Sequence, residues 1–171
     1  MLKTNPETFA RQITELLKDA RDRALLNSNI VRLHIDLDSQ EYWLEEAPDS
    51  ILIPSQAEQD KILAEEKRAK EAEKNGEKDQ RPSDGFRLLR EITKDKRKIP
   101  RGLKFVEVIS PRNKKPILEG DAFIYFFPRG GADNGIIHLQ DEDDVKVSVV
   151  VQPVTGLSRY RSGFLSSEDT E

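Results

Sequence analysis

Apolar residues at Phe9, Ile13, Leu16, Leu17, Ala20, Ala24 and Leu25 recur at three- and four-residue intervals. That spacing puts them on one stripe of a helix over Pro6 to Ser28. Arg11, Glu15, Lys18, Asp19, Arg21, Asp22 and Arg23 occupy the opposite side. Thr4-Asn5-Pro6-Glu7 reads as a capping box, with Thr4 as N-cap and Glu7 reaching back. The stripe is expected to face a core rather than a membrane surface. At Asn29 the period drops to two. Ile30, Val31, Leu33, Ile35 and Leu37 stand against Arg32, His34, Asp36 and Asp38, the pattern of a half-buried strand with a solvent face. Tyr42-Trp43-Leu44 makes a second strand after the turn at 38–40.

Ala57 to Arg81 differs in kind, with eight acidic and seven basic residues and few apolar ones. Its composition predicts helix over Gln59 to Lys74, followed by a flexible stretch from Gly76 to Gly85. Beyond Gly85 the pattern is almost wholly β. Strands are expected at Phe86–Ile92, Leu103–Ile109 and Ala122–Phe127, the last nearly all apolar and therefore central. A turn is expected over Pro111–Pro116, and a basic loop ends at Pro100. Pro128-Arg129-Gly130-Gly131 breaks the third strand, because proline cannot donate to a ladder. Gly135–Leu139 and Val145–Val151 form a hairpin around Asp141-Glu142-Asp143-Asp144, and a short strand follows Gly156. Strands this close together, with no helices between them, pair antiparallel. The expected fold is therefore α+β: one N-terminal helix packed on antiparallel sheets of about seven or eight strands. Residues 1–161 form one domain with a charged insertion at 57–85, and 162–171 form a polar, disordered tail.

Composition narrows the chemistry. There is no cysteine, which removes disulfides, thiol catalysis and thiolate zinc sites. Two histidines leave little for a metal site or an acid–base relay. The formal charge of −4 is too mild to argue a partner. His34, Asp36 and Asp38 could gather a cation, but alternation on a strand demands polar residues there in any case. Asp141 to Asp144 offer oxygens to calcium without the spacing of an EF-hand loop, and acidic residues are common in hairpin turns. The glycines after Pro128 precede no helix and no GK[ST], so they form a turn and no phosphate cradle. No GxSxG is present. No catalytic residue, metal site or cofactor is expected. One asymmetry remains. Between Lys94 and Lys115 nine basic residues, among them Lys96, Arg97 and Lys98, face only Asp95 and Glu107. Arg159 and Arg161 flank Tyr160 near the C-terminus, and basic groups with an aromatic suit a nucleic-acid backbone.

Several segments carry a family resemblance. Ala20-Arg21-Asp22-Arg23-Ala24-Leu25-Leu26-Asn27-Ser28-Asn29, then Val31-Arg32-Leu33 and Tyr42-Trp43, resembles the helix-to-strand passage of GspH/FimT-type pseudopilins. Leu89-Arg90 and then Ile99-Pro100-Arg101-Gly102-Leu103-Lys104-Phe105 looks like that family's entry into a strand. Ile124-Tyr125-Phe126-Phe127-Pro128-Arg129-Gly130 and Val151-Gln152-Pro153-Val154-Thr155-Gly156-Leu157 are similar to its Pro-x-Gly and closing Thr-Gly elements. The matches run over roughly residues 15 to 161, and the charged insertion is longer than the family pattern. The resemblance implies a minor pseudopilin of a bacterial type II secretion system, a structural subunit at or near the tip of a periplasmic filament and not an enzyme. Its partners would be other pseudopilins or minor pilins. It would be held in the inner membrane by an apolar N-terminal segment preceding Met1, with this domain in the periplasm. Phe9, Ile13, Leu16, Leu17 and Ala20 would then form the helix face that meets both the sheet and neighbouring subunits. The alternative is a FimT-like type IV minor pilin that binds DNA through Arg159, Arg161, Lys96, Arg97 and Lys98. In that group the closing glycine is followed by an arginine pair, whereas here Leu157-Ser158 intervene.

Overall fold

The computed structural model describes residues 4–50, 53, 55–74 and 84–170. Helix α1 spans Pro6–Asn27. Its N-cap is Asn5, whose Oδ1 accepts from Glu7 N at 2.8 Å, so the cap falls one residue later than the Thr4 box predicts. Pro6 explains the shift: a proline at the first helical position gives up an N–H that no carbonyl would have met. Ser28, in the left-handed region at φ 52°, ends the helix and turns the chain into β1, Asn29–Asp36. Strand β2, Glu41–Pro48, returns beside it in register from Asn29↔Pro48 to Asp36↔Glu41.

Helix α2 covers Gln56–Lys74, and the stretch expected to be flexible lies largely in 75–83, outside the described residues. The long strand expected at Phe86–Ile92 is reduced to β3, Arg87–Leu88. Leu89 N donates to Leu44 O, after which Ile92 N and Thr93 N both donate back to Leu89 O, closing a turn. Its apolar residues therefore plug the core as a turn, with Leu89 fully buried, instead of extending a ladder. The expected basic loop contains a short strand, β4, Arg97–Lys98. Strands β5 (Leu103–Ile109), β6 (Asp121–Phe126), β7 (Ile136–Asp141), β8 (Lys146–Val151) and β9 (Ser158–Ser162) follow close to expectation.

These strands form two antiparallel sheets, β3-β2-β1-β6 with β4 also on β2, and β5-β7-β8-β9. Helix α1 packs across both, against β1 and β6 of the first and β7, β8 and β9 of the second. The core lies in that junction: Phe9, Ile13 and Leu17 meet Val31, Leu33 and Ile35 on one side and Ile137, Val147 and Val149 on the other. Phe9, Tyr42 and Phe105 meet edge to face, with centroids 5.6 to 5.9 Å apart, which joins helix and both sheets. Gln40 ties the sheets polarly. Its Oε1 accepts from Phe105 N at 2.7 Å while its Nε2 donates to Phe105 O at 3.1 Å and Leu37 O at 2.7 Å. One side-chain amide thus takes the place of a neighbouring strand on the edge of β5.

The C-terminal tail is more ordered than expected. Gly163 and Leu165 hydrogen-bond to the Ser148 hydroxyl, and the Phe164 ring stacks on His138 with centroids 4.3 Å apart. Ser167–Thr170 close in a 3₁₀ turn.

Candidate functional site

The five residues expected to form a subunit-packing helix face are all used within the chain. Phe9, Leu17 and Ala20 are 0% exposed, Ile13 1% and Leu16 4%. A 22-residue helix buried against two sheets has one apolar stripe to give, and the intramolecular core takes it whole. Among the described residues, the exposed large apolar residues are instead Leu25 and Leu26 at the C-terminal end of α1, Val154 and Leu157 of the β8–β9 turn, and Leu118 and Val145 elsewhere. The C-terminal end of α1 is tightly organised. Arg21 Nε donates to Thr155 O at 2.6 Å, and a Cβ on Gly156 would meet the Gly130 carbonyl at 2.9 Å. The Ala-Arg, Pro-Arg-Gly and Thr-Gly segments, far apart in sequence, converge here.

The basic candidates divide between two sheet edges. Arg159 and Arg161 are exposed on β9, the edge of the second sheet, while Tyr160 between them leans on α1 and meets Arg11 at 3.4 Å. Arg97 and Lys98 form β4 at the edge of the first sheet. Arg97 donates to Ile92 O at 3.0 Å, and the Lys96 ammonium lies 4.3 Å from the Trp43 ring centroid. Arg112, further along the basic stretch, is committed to Asp133 at 2.8 and 3.0 Å. The stretch is therefore partly structural, and Arg97 and Lys98 lie on a different sheet from the arginine pair. Asp141 Oδ1 accepts from Asp143 N and Val145 N, so that carboxylate shapes the hairpin turn. Among the described residues no cluster of His, Cys, Asp and Glu suits a metal ion.

The feature that the alternation at Arg32 and His34 misjudges is the outer face of the first sheet. That face is covered by α2 and is not solvated: Arg32 is 2% exposed and His34 4%. Strand register builds the cluster. Arg32 sits opposite Glu45 on one side and Tyr125 on the other, and His34 opposite Trp43 and Phe123. Arg32 donates to Glu45 Oε1 and Asp84 Oδ2, each at 2.7 Å, and to the Tyr125 hydroxyl at 3.2 Å. Its guanidinium also lies 3.8 Å from the Phe86 ring centroid and 4.2 Å from that of Phe123. His34 is held between Asp121 Oδ1 at 2.6 Å and Glu45 Oε1 at 3.2 Å. Burial alone would lower the His34 pKa, but its hydrogen bonds to Asp121 and Glu45 outweigh that and raise it. Burial likewise pushes the Glu45 carboxyl up, and the His34 hydrogen bond with the Arg32 charge reverses this, holding it well below the ordinary carboxylate range. Helix α2 closes the face by burying Gln59, whose amide donates to the Tyr125 hydroxyl, and by setting Leu63 against Phe123 and Tyr125. A signal for this was present in the sequence. A strand as apolar as Ala122–Phe127 must be covered on both faces, and so must the neighbour it pairs with.

Two antiparallel sheets served by one long N-terminal helix define a pilin-like α+β fold. The structure is similar to that of the minor pseudopilin EpsH from the Type 2 Secretion System of Vibrio cholerae, with a TM-score of 0.50 over 93% of this chain and 98% of that chain. The two sequences are 12% identical, so the likeness is one of fold. No family model matches the chain, and no curated protein is similar to it in sequence. Among the described residues no helix is long and apolar enough to cross a membrane.

Proposed function

We propose that this chain is the periplasmic domain of a minor pseudopilin, a structural subunit at or near the tip of the filament of a bacterial type II secretion system. The supporting observation is the extent of the fold likeness, which covers 93% of this chain and 98% of that chain. The reading assigns no catalysis. The domain works by assembly, held to the inner membrane by an apolar segment N-terminal to α1, with other pseudopilins as partners. With the α1 stripe consumed internally, the subunit contact falls to exposed apolar residues of two elements that Arg21 and Thr155 tie together, Leu25 and Leu26 of α1 and Val154 and Leu157 of the β8–β9 turn. Mixing the domain with the soluble domains of the other pseudopilins of its host, followed by light scattering, tests this. A stable complex that Leu26→Glu with Val154→Glu disperses, without loss of fold, is the expected result. No complex with any of them, and unimpaired protein export after deletion of the gene, would refute it. A second reading, a FimT-like minor pilin that binds DNA, draws on the exposure of Arg159 and Arg161 side by side on β9.

A further inference from the structure

Asp121 stands between two cations. From β1, His34 Nε2 approaches its Oδ1 to 2.6 Å, and from α2, Lys67 Nζ lies 4.0 Å from its Oδ2. The first contact is short and buried. The second is loose, for Lys67 keeps 65% of its side-chain surface exposed. The other imidazole nitrogen faces Glu45, and only an imidazolium can donate from both nitrogens to two carboxylates.

Charged and aromatic groups approach His34 from four elements. β1 contributes Arg32 and Asp36; β2 contributes Glu45 and the Trp43 ring, whose centroid is 4.0 Å away. β6 contributes Asp121 and the Phe123 ring, and α2 contributes Glu66, Lys67 and Lys70. Asp84, Arg90 and Lys96 complete the border of a cavity of about 490 Å³ between α2 and the sheet. With His34 protonated, Arg32 answers Glu45 and Asp84, and His34 answers Asp121. Without that proton, one carboxylate faces a ring lone pair and the floor gains one negative charge. Lys67 is then the cation placed to answer it.

We propose that α2 is a proton-switched cover: as His34 gains its second ring proton, Asp121 passes from Lys67 to His34, and α2 is held less tightly over the first sheet. Linkage makes the coupling reciprocal, so the charge on Lys67 must weaken proton binding at His34. The chain has no cysteine and one tryptophan, which supplies two clean probes. A nitroxide on Lys61→Cys, exposed on α2, reports the mobility of the cover, and one on Lys18→Cys of α1 serves as reference. Trp43 emission, quenched by a protonated imidazole in contact, reports the His34 titration in the full chain. The α2 label should be more mobile below the Trp43 midpoint than above it, at pH values short of about 10.4 where lysine itself titrates. In Lys67→Met it should be mobile on both sides, with α1 unchanged. The Trp43 midpoint should rise by about half a pH unit, the effect of one charge acting through water-like surroundings over a few ångströms. Lys67→Gln should behave as Lys67→Met does if charge is the cause. Label mobility that ignores pH, a pH response that survives both variants, or an unmoved midpoint would overturn the proposal.

Discussion

Arg32 shows how a buried charge becomes indispensable once its partners are buried with it. Glu45 and Asp84 are 14% and 10% exposed, so Arg32→Met would strip Asp84 of its guanidinium and leave Glu45 to His34 alone. Breaking such a network from one side costs about 3–5 kcal/mol, measurable as a fall in the urea midpoint at unchanged slope. The pH dependence follows from the two shifted groups. His34 binds its proton more tightly folded than unfolded. Its contribution is therefore fully present below about 6.5, and is lost as pH rises through the raised value. Glu45 is the reverse case. Its contribution is present above about 4.3 and lost as pH falls through the lowered value. Melting temperature against pH should fall off on both sides. His34→Gln should flatten the alkaline limb, and Glu45→Gln the acid one. An alkaline limb unaltered in His34→Gln would show that another group sets it.

At the scale of elements, α2 and the β8–β9 turn differ in what they carry. Among the described residues, helix α2 contributes one buried side chain, Gln59, and the partial cover of Leu63. Replacing Gln56–Lys74 by a Gly/Ser linker removes a buried hydrogen bond and a half-buried leucine, together about 2 kcal/mol. That corresponds to a drop of roughly 4–8 °C for a domain of this size, with the transition still cooperative. Loss of cooperativity in calorimetry would mean that α2 is part of the core. The turn allows less. Gly156 has φ 69°, and any Cβ there meets the Gly130 carbonyl, a backbone atom that cannot swing away. Gly156→Ala should cost at least about 1–2 kcal/mol from the left-handed conformation alone, with more from the clash. A neutral result in thermal unfolding would mean that the turn refolds around the new side chain.

At the scale of the whole molecule, the two functional readings separate by salt. Each phosphate neutralised adds about −0.9 to the slope of log affinity against log salt. If Arg159 and Arg161 both touch phosphate, their joint replacement by alanine should weaken duplex binding and flatten that slope by about 2. With a net charge of −4, and the remaining basic candidates on another sheet edge, the expected outcome is negligible binding at about 150 mM salt. Micromolar, salt-sensitive binding lost in the double variant would favour the DNA-uptake reading over assembly.

Periodicity alone determined α1, the hairpin β1–β2, the β-rich second half and its antiparallel pairing, because each depends on which neighbours a residue has a few positions away. Residue chemistry marked the break at Gly130, and a short strand was expected after Gly156, but nothing local indicated that the two glycines would touch. Which faces are covered depends instead on segments distant in sequence. The stripe of Phe9, Ile13, Leu16, Leu17 and Ala20 reads the same whether it meets its own sheets or another subunit. The polar alternation of Arg32 and His34 reads the same whether it meets water or a helix inserted some twenty residues later. Even the cap moved from Thr4 to Asn5 on a local hydrogen bond, while Phe86–Ile92 gave up its strand because Leu89 was needed as a plug beneath Leu44. Local pattern sets the period of burial, but burial itself is a relation between distant segments. Here the charged helix α2, unremarkable as sequence, turns a would-be solvent face into a buried network of charges.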